Sequence, residues 1–262
     1  MQIGKLFIVA TPIGNMSDIT LRALEVLKEV SYILSEDTRD TDKILKKYEI
    51  TTSQLSYRDQ NHNVMFPKVK EILDSGNNVA LVSDSGTPLI SDPGFKLVNG
   101  LIKEGYDVVS IPGPSATISA LVSSGLPTDK FSFLGFLPKS SGQRKKLLEK
   151  YGELDATLII YESPFRVIKL LEEIKDTLGD REVVVAKELT KIHEKFYRGA
   201  IINILNELKG LSSDKAGAEC GRSNKGEAKR SPAKPHEAPL SQKAKVKLRG
   251  EFIVLIAKKD FK

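Results

Sequence analysis

The sequence predicts an α/β protein in two domains, the first built on a parallel, doubly wound sheet. Three observations lead there. Short apolar runs alternate with amphipathic helical stretches through the first half. Several of those runs end in loops of small, hydroxyl and turn-forming residues. A Pro-Gly-Pro turn at 112–114 then divides the chain into residues 1–113 and 114–262, each long enough for its own core.

The elements follow in order. Residues 5–10 (KLFIVA) read as a strand, and Thr11-Pro12-Ile13-Gly14-Asn15 as the loop after it. Asp18, Ile19 and Thr20 open a helix that places Leu21, Leu24, Leu27 and Val30 near one face. Residues 31–34 form a second strand, ending in the polar cluster 35–40, and a helix over 43–48 follows. An irregular polar stretch at 56–63 leads to a helix over 66–75. Val79-Ala80-Leu81-Val82 has the continuous apolar character of a strand buried on both faces. It stops at Ser83-Asp84-Ser85-Gly86-Thr87-Pro88, where Gly86 permits positive φ and Pro88 holds Thr87 extended. Asp92 can cap the next helix and Pro93 suits its first position. Such a loop is either a ligand crevice or simply a well-made connection. Residues 108–111 are a further strand, and Ser115 can cap the helix after the Pro-Gly-Pro turn.

In the second half, strands are expected at 131–136, 156–161, 182–186 and 251–257. Helices are expected from the basic end of PKSSGQRKK, after Arg166 to Leu178, and over 201–209. Residues 211–249 are rich in Lys, Ala, Gly, Ser and Pro and are expected to be a largely disordered insertion.

Composition narrows the function classes. The hydrophobic share of 40% and charged share of 28% are those of a soluble globular protein, and no apolar run is long enough to span a membrane. The N-terminus reads as a strand and not as a signal peptide. One cysteine, Cys220, precludes an internal disulfide framework, and His62, His193 and His236 are too scattered for a zinc site, so no metal is expected. A reducing cytoplasm is the default compartment. The net charge of +6 is local: residues 212–249 hold seven Lys and three Arg against Asp214, Glu219, Glu227 and Glu237, which is the whole excess.

Four strand ends carry unusual loops, TPIGN, SDSGTPLISDPG, PGPSA and YESPFR, with AKELTK as a fifth. None is a nucleotide fingerprint: GxGxxG, the P-loop pattern and the GxSxG elbow are all missing. Taken together and in this order, the loops resemble the ribosomal RNA small subunit methyltransferase I family, 16S rRNA (cytidine-2′-O)-methyltransferases of tetrapyrrole-methylase fold. The matching stretches are 7–15 with 18–22, 36–39, 79–94, 112–116, 125–129, 135–138, 161–166, 187–191 with Gly199, and 250–252. Only 211–249 departs from the pattern, in which the last helix leads quickly to the final strand.

The resemblance implies a two-domain tetrapyrrole-methylase-like fold, a homodimer, and S-adenosyl-L-methionine held in the cleft between the domains. It places cofactor contacts at Pro12, at Asp84, Gly86, Thr87 and Ile90, at Ser115 and Ala116, and at Glu162 and Lys187. The chemistry of the residues agrees. A sulfonium is poorly served by a nest of Lys and Arg, whereas Ser, Thr, Gly and Pro loops offer hydroxyls and carbonyls. A ribose 2′-hydroxyl is a weak nucleophile that a base would help. Glu188, Glu162 and Asp84 are the candidate carboxylates, with loop capping or cofactor positioning as the alternative for each. Lys187 suits a phosphate or a cofactor carboxylate as well as a base.

An RNA substrate, 16S rRNA or the small ribosomal subunit, calls for phosphate-seeking and hydrogen-bonding groups. Arg39, Arg58 and Asn63, beside His62, stand in polar loops of the first domain; Lys139, Arg144, Lys145 and Lys146 cluster after the PK loop. The 211–249 insertion is either a basic arm for rRNA or an insertion without a role. Two rivals remain. A small-molecule tetrapyrrole methyltransferase would carry GxGPG-type and GGDP loops where this chain has TPIGN and SGTPLISDPG. A non-catalytic RNA-binding assembly factor would need no cofactor cleft.

Overall fold

Two five-stranded sheets organise the chain, and the computed structural model describes residues 3–218 and 248–261. The first sheet holds β1 (Leu6–Val9), β2 (Tyr32–Ser35), β3 (Ser53–Ser56), β4 (Val79–Val82) and β5 (Val108–Ile111). Its order is β3-β2-β4-β1-β5 and every pair is parallel. Successive residues of β4 feed opposite layers. Ala80 and Val82 join a core with Ala23 and Leu27 of α1 (Leu21–Glu29) and Ile44 and Leu45 of α2 (Thr38–Lys47). Val79 and Leu81 join the other core, with Val69 and Leu73 of α3 (His62–Asp74) and Leu97 and Leu101 of α4 (Phe95–Lys103). A strand buried on both faces needs no alternation, hence the unbroken VALV.

The strand order makes β1 and β4 a switch point. From β1 the chain crosses to β2 through α1 on one face; from β4 it crosses to β5 through α4 on the other. The connections after these two strands therefore leave for opposite faces, and a crevice opens at the strands' carboxyl ends.

The second sheet holds β6 (Phe131–Phe136), β7 (Thr157–Glu162), β8 (Glu182–Lys187), β9 (Lys195–Ala200) and β10 (Phe252–Ile256), in the order β6-β7-β10-β8-β9. Only β6 and β7 are parallel. Leu148 of α6 (Ser141–Gly152), Leu170 and Ile174 of α7 (Val167–Leu178) and Ile204 and Leu208 of α8 (Ile201–Ala218) cover one face. The other face packs Ile159, Val184 and Ile253 against Ala120 and Leu121 of α5 (Ala116–Val122) and against Ile13 from the loop after β1. That face looks toward the first sheet's crevice.

Several elements differ from expectation. β3 and β9 are edge strands that the sequence reading left unassigned; SQLS exposes both its serines and carries no apolar alternation. α2 begins at Thr38, five residues before the expected 43, because the Asp37 carboxylate accepts the Arg39 N–H at 3.0 Å and starts the helix. α3 begins at His62, so His62 and Asn63 sit in its first turn. Asp92 and Pro93 do not start α4, whose cap position is Gly94 at φ 124°. Ser115 takes the cap position of α5, but its hydroxyl makes no capping bond. α8 runs on to Ala218, into the stretch expected to be disordered; residues 219–247 of that expectation lie outside the described residues. Among the described residues no helix is long and apolar enough to cross a membrane.

Candidate functional site

A cavity of about 390 Å³ lies where the crevice of the first sheet meets the open face of the second. This is within the range of small-molecule sites, about 300–1,000 Å³. From the first half come Ile13 after β1, Ser85, Gly86, Thr87, Ile90, Ser91 and Asp92 after β4, and Ser115 and Ala116 after β5. From the second half come Phe136 at the end of β6, Tyr161 and Glu162 at the end of β7 with Ser163 and Pro164 after it, Ala186 and Leu189, and Gly250 to Ile253 at the start of β10.

Backbone bonds hold the two first-half loops together. Thr11 N–H donates to Gly86 O at 2.9 Å and Gly86 N–H to Thr11 O at 3.0 Å, an isolated antiparallel bridge between otherwise parallel strands. Gly86 sits at φ 81°, and a Cβ there would lie 3.2 Å from Ile13 Cγ2, so the turn favours glycine. The Thr87 hydroxyl donates to Pro114 O at 3.0 Å and links this loop to the Pro-Gly-Pro turn. Leu89 (φ 72°) and Ser91 (φ 66°) hold left-handed backbone without being glycine, strain of the kind that collects in ligand loops.

Of the expected cofactor residues, Gly86, Thr87, Ile90, Ser115, Ala116 and Glu162 line the cavity. Pro12, Asp84 and Lys187 do not; near neighbours in the chain, Ile13, Ser85 and Leu189, take those places. Side chains alternate in direction along a strand end, so a motif locates the loop better than the residue. Lys187 instead rests its Nζ 6.0 Å from the Phe252 ring.

The three candidate carboxylates are all engaged. Asp84 Oδ1 accepts the Asp37 N–H at 2.9 Å, at the start of α2. Glu162, buried, accepts the Ser163 N–H at 2.6 Å and the Arg166 Nε at 2.7 Å. Glu188 Oε1 accepts the Glu251 N–H at 2.9 Å and the Lys191 Nζ at 3.0 Å. Burial raises the Glu188 carboxyl, but the Glu251 N–H and the Lys191 ammonium outweigh it and hold the group below its ordinary value.

Asp92, which sequence reasoning took for a helix cap, lines the cavity half-buried. Burial pushes its carboxyl up to about 6, a bond from the Ser83 hydroxyl partly offsets this, and the Asp84 charge adds to it. Glu36 is also raised, by burial first and then by the charges of Asp84 and Asp92. Tyr161 shares a 2.7 Å hydrogen bond with Thr117 and is packed edge-on against Phe133 and Phe136. Burial raises its phenol above the ordinary value. The sequence signal for Asp92 was its place in SDPG; Tyr161 opened the YESPFR loop and Phe136 lay in the 135–138 stretch, but neither was named as a site residue.

The expected RNA-binding residues divide. Lys139, Lys145, Lys146, Arg58 and Asn63 are exposed. Arg58 Nε also donates to Glu36 O at 3.0 Å, and exposed Arg39 is paired with Asp37. Arg144 is a correction: it is only 4% exposed, with Nε and Nη2 both 2.6 Å from the Glu173 carboxylate and Nη1 bonded to Pro138 O and Lys139 O. It ties α6 to α7 and is not available to RNA.

Among the described residues no Lys, Arg or His lines the cavity; hydroxyls, carbonyls, carboxylates and aromatic rings do. This donor set suits a cationic, adenosine-sized ligand and not a polyphosphate. Residues 5–204 match the model of the tetrapyrrole (corrin/porphyrin) methylases. Among curated proteins, ribosomal RNA small subunit methyltransferase I of Halalkalibacterium halodurans is 48% identical over 76% of this chain and 68% of its own. That of Thermotoga maritima is 46% identical over 76% of this chain and 89% of its own. The chain belongs to the ribosomal RNA small subunit methyltransferase I family.

As a member of that family it has the tetrapyrrole-methylase fold, and solved structures of 12–16% identity show the same fold. Diphthine synthase superimposes with a TM-score of 0.64, covering 98% of this chain and 91% of its own. The uroporphyrin-III C-methyltransferase of Thermus thermophilus, in complex with S-adenosyl homocysteine, does so with 0.57, covering 96% and 97%.

Proposed function

We propose that this methyltransferase transfers the methyl group of S-adenosyl-L-methionine to the 2′-hydroxyl of a cytidine ribose in the decoding region of 16S rRNA. One observation carries the reading: a chain of this family keeps an uncharged-to-acidic, adenosine-sized cavity at the switch point of its first sheet, walled by the second. When bound, adenosylmethionine supplies an electrophilic methyl on a sulfonium.

The chain's own residues do the rest. Gly86, Thr87, Ser115 and Ala116 present backbone and hydroxyl groups for the polar parts of the cofactor, and Ile13, Leu189 and Ile253 give it an apolar floor. Phe136 and Tyr161 pack edge-on and give one wall an aromatic surface against which the ligand can be aligned, and an in-line displacement depends on alignment. The exposed Lys139 before α6 and Lys145 and Lys146 within it, with the exposed Arg58 and Asn63 of the first domain, offer the phosphate and base contacts. In this reading the protein works in the cytoplasm as a homodimer, for which the exposed Ile118 and Val122 of α5 supply apolar surface.

The test is transfer of labelled methyl from adenosylmethionine to small ribosomal subunits of cells lacking the protein, with the modified nucleotide mapped. One 2′-O-methylated cytidine in the decoding region is the expected result. Cofactor binding with no methyl on RNA would sink the reading.

A further inference from the structure

Methyl transfer to a hydroxyl releases a proton, and four titratable side chains line the cavity to receive it: Asp92, Tyr161, Glu162 and Glu251. Tyr161 keeps its own proton, because burial raises its phenol and Thr117 bonds its oxygen. Glu162 already accepts an amide and a guanidinium. Glu251 is 75% exposed and already paired with the Lys191 ammonium at 3.2 Å. Among the described residues Asp92 meets neither cation nor amide; its partner is the Ser83 hydroxyl, and its side chain lines the cavity.

We propose that Asp92 accepts the proton of the attacking hydroxyl. Its position supports this apart from its charge state. The strained turn at Leu89 and Ser91 carries Asp92 to the second half, where the Ser91 hydroxyl abuts Gly135 of β6, 3.2 Å from where a Cβ would stand. Asp92 thus stands where first-half loop and second-half strand meet, near enough to Tyr161 to raise its phenol. The groups facing it are Asp84 on its own loop, Glu36 with Arg58 from the loops after β2 and β3, and Tyr161 from β7. Anionic neighbours and burial make the carboxylate a better proton acceptor than an exposed one, and it is still ionised at neutral pH. In the step, the oxygen–carbon bond forms as the carbon–sulfur bond breaks, sulfur leaves as a neutral thioether, and the hydroxyl proton passes to Asp92.

The inference rests on the proposed RNA methylation, and the experiment separates the two. Single-turnover methyl transfer to unmethylated small subunits is followed against pH for wild type, Asp92→Asn and Asp92→Glu. Cofactor affinity is measured by calorimetry, and the Asp92 carboxyl is titrated by ¹³C NMR in cofactor-free protein. The expected result is a loss of about 100-fold or more in Asp92→Asn, with cofactor affinity kept, partial recovery in Asp92→Glu, and a wild-type rate that rises to a plateau above about 6, the value its carboxyl also titrates with. Asp92→Asn at the wild-type rate and with the wild-type pH profile overturns the inference. So does a parallel loss of cofactor affinity, which would make Asp92 a binding residue, or a carboxyl that titrates at its ordinary 3.8. A wild type that binds cofactor without methylating the subunits overturns the proposed function and this inference with it.

Discussion

The two halves build one cavity by different means. The first half lends it backbone and small side chains, Ser85, Gly86, Thr87, Ser115 and Ala116, on loops beyond the strands. The second lends large side chains, Phe136, Tyr161, Glu162 and Phe252, on or next to the strands themselves. An all-parallel sheet wrapped on both faces has only its strand ends to offer a ligand. A mixed sheet with its long helices on one face and only the short α5 on the other keeps strand residues open to a ligand. Loops with amides and hydroxyls give polar recognition; a sheet face gives shape and excludes water. Both halves are anchored by apolar layers, and the second adds a buried ion pair between α6 and α7, a contrast that substitution can test.

The largest effect is expected for Arg144→Ala. It strands the Glu173 carboxylate between α6 and α7, and losing one partner of a buried pair costs about 3–5 kcal/mol. Urea unfolding measures it; a loss under 1 kcal/mol would mean the pair behaves as a surface one. The first-half counterpart is Leu81→Ala, at 2% exposure in the core under α3 and α4, expected to cost about 2–5 kcal/mol in the same assay.

Smaller effects sharpen the contrast at the cavity. Gly86→Ala forces a side chain into left-handed backbone and against Ile13, about 1–2 kcal/mol, and weakens adenosylmethionine binding by calorimetry. Tyr161→Phe removes the bond to Thr117 but keeps the ring, about 1 kcal/mol, with the urea midpoint as readout.

The subtlest test is of pH. The Asp92 carboxyl titrates near 6 when folded and at about 3.8 unfolded, so the native state binds the extra proton between these values. Stability therefore falls as pH rises through that window and stays lower above it. Asp92→Asn removes this loss, and its melting temperature relative to wild type should rise from pH 4 to pH 7. Parallel curves would show that burial does not load Asp92.

Much of this was legible in the sequence. β5 and β6 occupy the expected 108–111 and 131–136, because a Pro-Gly turn or a glycine-bounded apolar run is a local signal. The loops TPIGN, SDSGTPLISDPG and PGPSA all reach the cavity, since strand ends on one edge of a parallel sheet converge. β3 escaped notice because an edge strand of serines and glutamine owes its existence to pairing with β2. α2 starts early because Asp37 caps it, and the cap looked like one more polar residue in a loop.

What the sequence by itself determined is the order of strands and helices and the loops that gather at the site. Periodicity and turn chemistry act over a few residues, and those are written in the chain. Only the tertiary structure decided which charged groups are spent and which are free. Arg144 meets its acid 29 residues on, Asp84 holds an amide 47 residues back, and Glu188 accepts an amide 63 residues on. Such partners are brought together by packing, so the same packing that occupied Arg144, Asp84 and Glu188 left Asp92 lining the cavity with no cation or amide partner among the described residues.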